Sequence, residues 1–146
     1  MPGIVVGVDG SDHSRSALEW AMKEAAIRHT PLTVLTVQQA IRGYSGTPVA
    51  YPGDEALAER ARQAAQDAAD KALAQLGDSG PASVTVQAVL GLPAEELLSA
   101  SRDADMLVVG SRGTGGFARL LMGSVSSQVT HHASCPVVII HSPDHK

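Results

Sequence analysis

The residues best suited to binding chemistry form a glycine-rich segment over residues 110–116. Four of these seven residues are glycine, beginning with Gly110 and Gly113, and Arg112 lies between those two. Glycine lets the backbone approach a ligand closely, and successive backbone N–H groups can converge on an anion. The segment therefore predicts a phosphate site, although such glycines also shape tight strand-to-helix connections.

A second anion-binding feature follows at Gly123, Ser124, Val125 and Ser126. These residues stand at the predicted start of a helix, where unpaired N–H groups, the positive end of the helix dipole and two hydroxyls could meet a phosphate. The alternative is that Ser124 only caps its helix. Together the two features predict a phosphate cradle.

Two common phosphate motifs do not account for the pattern. A P-loop requires a lysine after its last glycine, and no lysine occurs between Lys71 and Lys146. A dinucleotide fingerprint is weakly matched at residues 113–118, but no Asp or Glu occurs between Ala118 and Pro143 to bind a ribose. Neither a P-loop NTPase nor an NAD-binding domain is therefore expected.

Short β-branched runs alternate with helical patterns along the whole chain. Strands are predicted over residues 4–8, 32–37, 84–90, 105–110 and 136–141. Helices are predicted around residues 16–25, over 54–76 and 93–100, and near 124–133. Strands separated by helical crossovers lie mostly parallel, with right-handed connections. The fold class is therefore α/β, a single doubly wound five-stranded parallel sheet with helices on both faces.

Local signals refine the ends of these elements. Ser16 with Glu19 fits a capping box at the start of the first helix, and Gly77 is expected to stop the second. Residues 41–53, with three glycines and two prolines, predict a loop long enough to act as a lid.

Ligands in such sheets bind beyond the carboxyl ends of the strands, where the strand order reverses. The segments after the first and fourth strands, residues 9–11 and 110–116, are the expected positions of a site. Asp9 could bind a ligand there or form an Asx-turn that caps the following helix.

Composition narrows the class of protein. The chain has 146 residues and a net charge of −4, so no cationic field favours nucleic acid or acidic lipid as a partner. A single cysteine, Cys135, and an opening sequence without signal-peptide features predict a cytoplasmic protein. Since no apolar run approaches the roughly 20 residues of a membrane helix, no membrane partner is expected.

The spacing Gly110-x2-Gly113-x9-Gly123-Ser124 resembles the nucleotide motif of the universal stress proteins. The opening IVVGVDGS, the later VVGSRG and the closing CPVVII are also similar to that family. The resemblance covers residues 1–146 as one single-domain, ATP-binding member. It implies a Rossmann-like sheet of order 3-2-1-4-5 and a cytoplasmic homodimer.

The resemblance also implies roles for individual residues. Asp9 and Val37 would hydrogen-bond near the base of the adenosine, and Gly7 would pack closely beside it. Val109 and Gly110 would line the ribose. The phosphates would be held by Arg112, Gly113, Gly123, Ser124, Val125 and Ser126, with Mg²⁺ or Mn²⁺ bound through the phosphates rather than by protein side chains.

The resulting hypothesis is an ATP-binding, nucleotide-dependent regulator in a stress response that is not an enzyme. Preference for AMP or cyclic AMP is one alternative, and slow ATP hydrolysis is another, although no general base or phosphate-clamping lysine is evident. A further alternative is a purely structural dimerisation module. Its contact, like that of the expected homodimer, would be the last strand, with Val137, Val138, Ile139 and Ile140.

Overall fold

A computed structural model describes residues 3–39, 41–42, 48–49, 53–111 and 124–141. Its main sheet contains β1 (Ile4–Val8), β2 (Leu32–Gln39), β3 (Val84–Gly91), β4 (Met106–Gly110) and β5 (Val137–Ile140). The helices are α1 (Asp12–Arg28), α2 (Asp54–Leu76), α3 (Pro93–Ser101) and α4 (Ser124–His132), and a 3₁₀ turn at Gly77–Ser79 follows α2. The five strands are parallel and lie in the order β3-β2-β1-β4-β5, which confirms the expected order 3-2-1-4-5.

The central strand β1 is apolar because both of its faces are covered. Val6 pairs with Val34 on β2 and with Val108 on β4, and none of the three exposes any surface. Aliphatic side chains therefore fill the middle of the sheet, as the low aromatic content of the chain requires.

Helices cover the two faces of the sheet unequally. The first face carries α1 and α2, and its fully or nearly buried side chains come from Ile4, Val6, Ala17, Leu18, Ala21, Met22, Ala25, Leu32, Val34, Ala65, Ala69, Ala72, Met106 and Val108. The second face carries α3 and α4, and its smaller cluster comprises Val5, Leu35, Leu97, Leu107, Val109 and Val129. Alanines on α1 and α2 let these long helices lie close to the sheet. No helix within the described ranges is long and apolar enough to span a bilayer.

Helix α1 begins earlier than the sequence predicted. Ser11 is its N-cap, and the Ser11 hydroxyl oxygen accepts a hydrogen bond from the N–H of Ser14. The predicted capping box of Ser16 and Glu19 is therefore wrong, because both residues lie inside the helix. The prediction for α2 is confirmed at both ends, and Gly77 terminates it with a φ of 55°.

Residues 41–53, the predicted loop, include paired strand residues among those that the structure describes. Ile41–Arg42 pairs antiparallel with Pro48–Val49, so the predicted loop contains a short two-stranded sheet at these four residues. Its action as a lid stays a prediction. The remainder of the segment up to residue 52 lies outside the described residues. Strand β2 also extends two residues beyond its predicted end, because Gln38 and Gln39 pair with the end of β3.

Candidate functional site

The strand order reverses between β1 and β4, which are neighbours in the sheet. In the sheet, β2 and β3 lie on one side of β1, and β4 and β5 lie on the other. Asp9 follows the end of β1 and Ser111 follows the end of β4, so both residues lie at the same edge of the sheet. This is the crevice in which doubly wound folds bind ligands.

A short hydrogen-bonded turn forms the β1 side of the crevice. Asp9 is exposed, and its carboxylate oxygen Oδ1 accepts a hydrogen bond of 2.9 Å from the N–H of Ser11. Gly10 between them has a φ of 86°, which glycine adopts without strain. The Asx-turn expected as the alternative role of Asp9 is thus present, whereas the cap of α1 is Ser11. Binding of a ligand by the Asp9 carboxylate stays a prediction.

Ser14, in the first turn of α1, ties this turn to the helix. Its hydroxyl donates to the carbonyl of Ser11 at 3.0 Å and accepts from the N–H of Asp9 at 3.2 Å. The side chain is 5% exposed. The sequence analysis did not identify this residue. The available signal was Ser11 directly after the Asp9-Gly10 turn, with Ser14 at the position whose N–H an N-cap side chain commonly binds.

Gly7 allows α3 to approach β1 on the second face. A Cβ atom built at Gly7 would lie 2.9 Å from Cδ2 of Leu97 and 3.6 Å from a methyl of Val109. The described contact of Gly7 is therefore with the protein core. Its predicted packing beside an adenosine stays a prediction.

Val37 and Val109 lie on the same face as Gly7. Val109 is 4% exposed, and the half-buried Val37 packs against the cluster that contains Leu35 and Leu97. The structure therefore brings three predicted site residues onto one face of the sheet, where Gly7 contacts the core, Val109 is buried in it and Val37 is half-buried beside them.

Gly110 serves close packing of a different kind. A Cβ atom there would lie 2.9 Å from the backbone carbon and oxygen of His13 and 3.0 Å from its Cβ. The absence of a side chain at the end of β4 thus lets the N-terminal turn of α1 pass directly over it. This contact was not predictable from the sequence, because it depends on how closely the helix crosses the sheet.

The β4 side of the crevice is joined to α4 by buried serines. The Ser126 hydroxyl donates to the carbonyl of Ser111 at 3.2 Å, and the N–H of Ser111 donates to the carbonyl of Ile140 at 2.9 Å. Ser111 and Ser126 are 2% and 3% exposed. One hydroxyl that was expected to face the phosphates therefore makes a hydrogen bond inside the fold, which fixes the start of α4 against β4 and β5.

The remaining predicted phosphate residues divide into two groups. Ser124 is exposed at the first position of α4, and Val125 is half-buried against the second-face cluster. Arg112, Gly113 and Gly123 lie outside the described residues.

Cys135 lies before β5, away from the crevice. Burial and the nearby negative charge of Asp105 raise the pKa of its thiol, which disfavours the thiolate. Within the described ranges, no group of three His, Cys, Asp or Glu side chains could hold a metal ion.

Fold and crevice together define a doubly wound α/β domain of the class that binds ligands at a topological switch point. A model of the universal stress protein family matches residues 2–141. The chain therefore belongs to the universal stress protein family, as the sequence motifs predicted.

A curated relative supports this assignment and sets the scale of the match. A universal stress protein of Mycobacterium tuberculosis (strain ATCC 25618 / H37Rv) is 39% identical over 144 residues, which are 97% of this chain and 48% of that protein. The chain thus spans about half the length of the curated relatives it matches.

Solved structures give the same fold. The universal stress protein UspA from Lactobacillus plantarum is 26% identical with a TM-score of 0.78, over 95% of this chain and 97% of that one. A universal stress protein in complex with cAMP is 29% identical with a TM-score of 0.67, over 96% of each chain. The universal stress protein from Archaeoglobus fulgidus in complex with dAMP is 25% identical with a TM-score of 0.63, over 96% of this chain and 98% of that one.

Proposed function

We propose that this domain binds an adenine nucleotide, with ATP as its principal ligand, in the crevice between the ends of β1 and β4. Nucleotide occupancy would then regulate a partner in a stress response, and the domain would act as a sensor rather than an enzyme. The observation that carries the proposal is the position of Asp9 and Ser111 on either side of the switch point.

The β1 side suits the nucleoside. Asp9 presents a carboxylate whose orientation is fixed by the N–H of Ser11, and a fixed acceptor can select for donor groups on a base or sugar. Val37, half-buried near the end of β2, offers apolar surface on the second face, beside Gly7 and the buried Val109. An aromatic base would pack against such a surface, with Asp9 defining its orientation.

The β4 side suits the phosphates. Helix α4 begins at Ser124, and the first N–H groups of a helix lack partners within the helix and favour anions. Ser126 anchors this turn to Ser111, so these groups would be held in place before a ligand arrives. The complete spacing of Gly110, Gly113, Gly123 and Ser124 in the sequence favours a ligand with several phosphates, and hence ATP.

A monophosphate is the second candidate ligand. Two structures with the same fold are of universal stress proteins in complex with cAMP and dAMP, respectively. Both ligands carry an adenine and a single phosphate, so the adenosine half of the crevice would serve AMP or cyclic AMP equally well.

Mg²⁺ or Mn²⁺ would accompany ATP through its phosphates. The donors on the described crevice residues are one carboxylate at Asp9, serine hydroxyls and backbone groups, which do not amount to a metal cage. They fit an ion that takes most of its ligands from phosphate and water, which is usual for Mg²⁺.

The last strand is the proposed contact of a homodimer. Val137, Val138, Ile139 and Ile140 are all half-buried, and β5 forms the edge of the main sheet with β4 as its neighbour. An apolar edge strand of this kind is protected by pairing with a second copy. A cytoplasmic location stays an expectation from the composition.

The deciding experiment has two parts. The first identifies any nucleotide that is released when freshly purified protein is denatured. The second is a calorimetric titration with ATP, AMP and cyclic AMP, each with and without Mg²⁺. We expect binding of ATP to be tightest and to depend on Mg²⁺. Tighter binding of AMP or cyclic AMP would favour the second candidate, and failure of all three to bind would refute the proposal. Multiple turnovers of ATP hydrolysis would instead indicate an enzyme.

A further inference from the structure

Ser14 is a buried serine in the first turn of α1, and its bonds reach back to both ends of the turn that presents Asp9. Its hydroxyl accepts from the N–H of Asp9 and donates to the carbonyl of Ser11, while its own N–H donates to the Ser11 hydroxyl. The three distances are 3.2, 3.0 and 3.1 Å. A single side chain thus joins the end of β1, the cap of α1 and the first turn of α1.

These bonds constrain where the Asp9 carboxylate lies. The carboxylate accepts from the N–H of Ser11, so its position depends on both the Asp9 backbone and the Ser11 backbone. Gly10 lies between them with a φ of 86°, and because it is a glycine, no side chain restricts the backbone of the turn. Without the Ser14 hydroxyl, the Asp9 N–H would lose its acceptor and the two residues would lose their common anchor.

A matched serine occurs far from the crevice. Ser101, in the last turn of α3, is 1% exposed; its hydroxyl donates to the carbonyl of Leu98 at 2.7 Å and accepts from the N–H of Ser134 at 3.2 Å. Both serines therefore donate to the carbonyl three residues earlier and accept from a backbone N–H outside their helix. They differ in whether that N–H belongs to a candidate site residue.

We propose that Ser14 is a positioning residue that holds Asp9 in the orientation required for nucleotide binding. This inference rests on the proposed nucleotide site. Ser14 acts through Asp9 and does not itself touch the ligand, so its contribution is to the adenosine half of the crevice and is independent of the number of phosphates.

The test compares Ser14→Ala with Ser101→Ala by calorimetric titration of the whole chain with ATP and AMP. Each substitution removes one hydrogen bond that the hydroxyl donates and one that it accepts, so the two variants should lose similar stability. Ser14→Ala should weaken ATP and AMP by the same factor, roughly fivefold to tenfold for a lost positioning bond. Ser101→Ala should change neither affinity by more than about twofold. Equal affinities of Ser14→Ala and the unaltered chain would overturn the inference.

Two further readouts separate positioning from general loss of structure. In an Asp9→Ala background, Ser14→Ala should produce no additional loss of affinity, because the group it positions is gone. Ser14→Thr keeps the hydroxyl and should restore most of the affinity. Additive losses, or no rescue by threonine in a folded protein, would contradict the proposal.

Hydrogen exchange at the Asp9 amide provides a test without ligand. Ser14→Ala should accelerate this exchange at least tenfold while leaving amides in β2 unchanged, since the N–H loses its acceptor. Unchanged exchange at Asp9 would overturn the inference directly. If the unaltered chain binds no nucleotide, the proposed function fails, whereas the exchange rate still decides whether Ser14 holds Asp9.

Discussion

The two strands that border the crevice are secured in different ways. The end of β1 is held by bonds between residues close in sequence, since Asp9, Ser11 and Ser14 satisfy one another. The end of β4 is held by distant parts of the chain, because Gly110 lies under α1 and Ser111 bonds to Ser126 and β5. The β1 side is therefore organised by local turn chemistry, and the β4 side by tertiary packing.

The same contrast appears in the two glycines of these strands. A Cβ at either position would come within 2.9 Å of a neighbour. At Gly7 the neighbour is the tip of the Leu97 side chain, which can rotate away. At Gly110 it is the backbone of His13 in α1, which can move only with the helix. Adding a side chain at Gly110 should therefore destabilise the fold more than adding one at Gly7, although the two distances are equal.

The largest expected effect is that of Gly110→Ala. We expect it to lower the free energy of unfolding by about 3 kcal/mol, because α1 must shift away from the sheet. Gly7→Ala is the matched control and should cost about 1 kcal/mol, since Leu97 can adopt another rotamer. Urea denaturation of both variants measures the difference. Similar losses would show that α1 is as adaptable as a side chain and would remove the contrast.

A smaller effect is expected when the phosphate side is altered at Gly123. Gly123→Val should weaken ATP by roughly tenfold, because a branched side chain hinders approach of phosphate to the start of α4. Binding of adenosine should be unchanged, since none of its predicted contacts lies at the start of α4. Calorimetry with both ligands tests this division. A loss of adenosine affinity equal to that of ATP would refute separate nucleoside and phosphate halves.

The smallest expected effect concerns the difference between a hydrogen bond that joins separate elements and one that caps a helix locally. Ser126→Ala should lower the free energy of unfolding by about 1 kcal/mol and accelerate amide exchange throughout α4, because the bond to Ser111 joins separate elements. Ser11→Ala removes a helix cap and should cost about 1 kcal/mol, with faster exchange confined to the first turn of α1. Confined exchange in both variants would mean that the β4 side is also organised locally.

This contrast explains what could be predicted from sequence. The strand order and the bounds of α2 were predictable, because the family motifs imply the first and an alanine-rich run ending at Gly77 indicates the second. The predicted start of α1 is wrong because Ser16 and Glu19 match a capping pattern, whereas the helix already begins after Ser11, at the end of the turn that contains Gly10. Local signals compete, and only the fold shows which one is used.

The contacts of the β4 side could not be predicted in the same way. The close approach of Gly110 to the backbone of His13 is one example, and the expected contact of Gly110 with a ribose stays a prediction. The bond from the Ser126 hydroxyl to a carbonyl fifteen residues earlier is another, and the expected contact of Ser126 with phosphate, through its amide or hydroxyl, stays a prediction. Both features depend on the distance at which helices cross the sheet, which no spacing in the sequence encodes.

The bond between Ser111 and Ser126 also bears on how ligand choice can diverge among such domains. It joins the residue that follows β4 to the first turn of α4, across a separation of fifteen positions in the sequence. A substitution in residues 112–123 that leaves this bond intact therefore need not move α4 away from β4, so the ligand preference of such a domain can change separately from its packing.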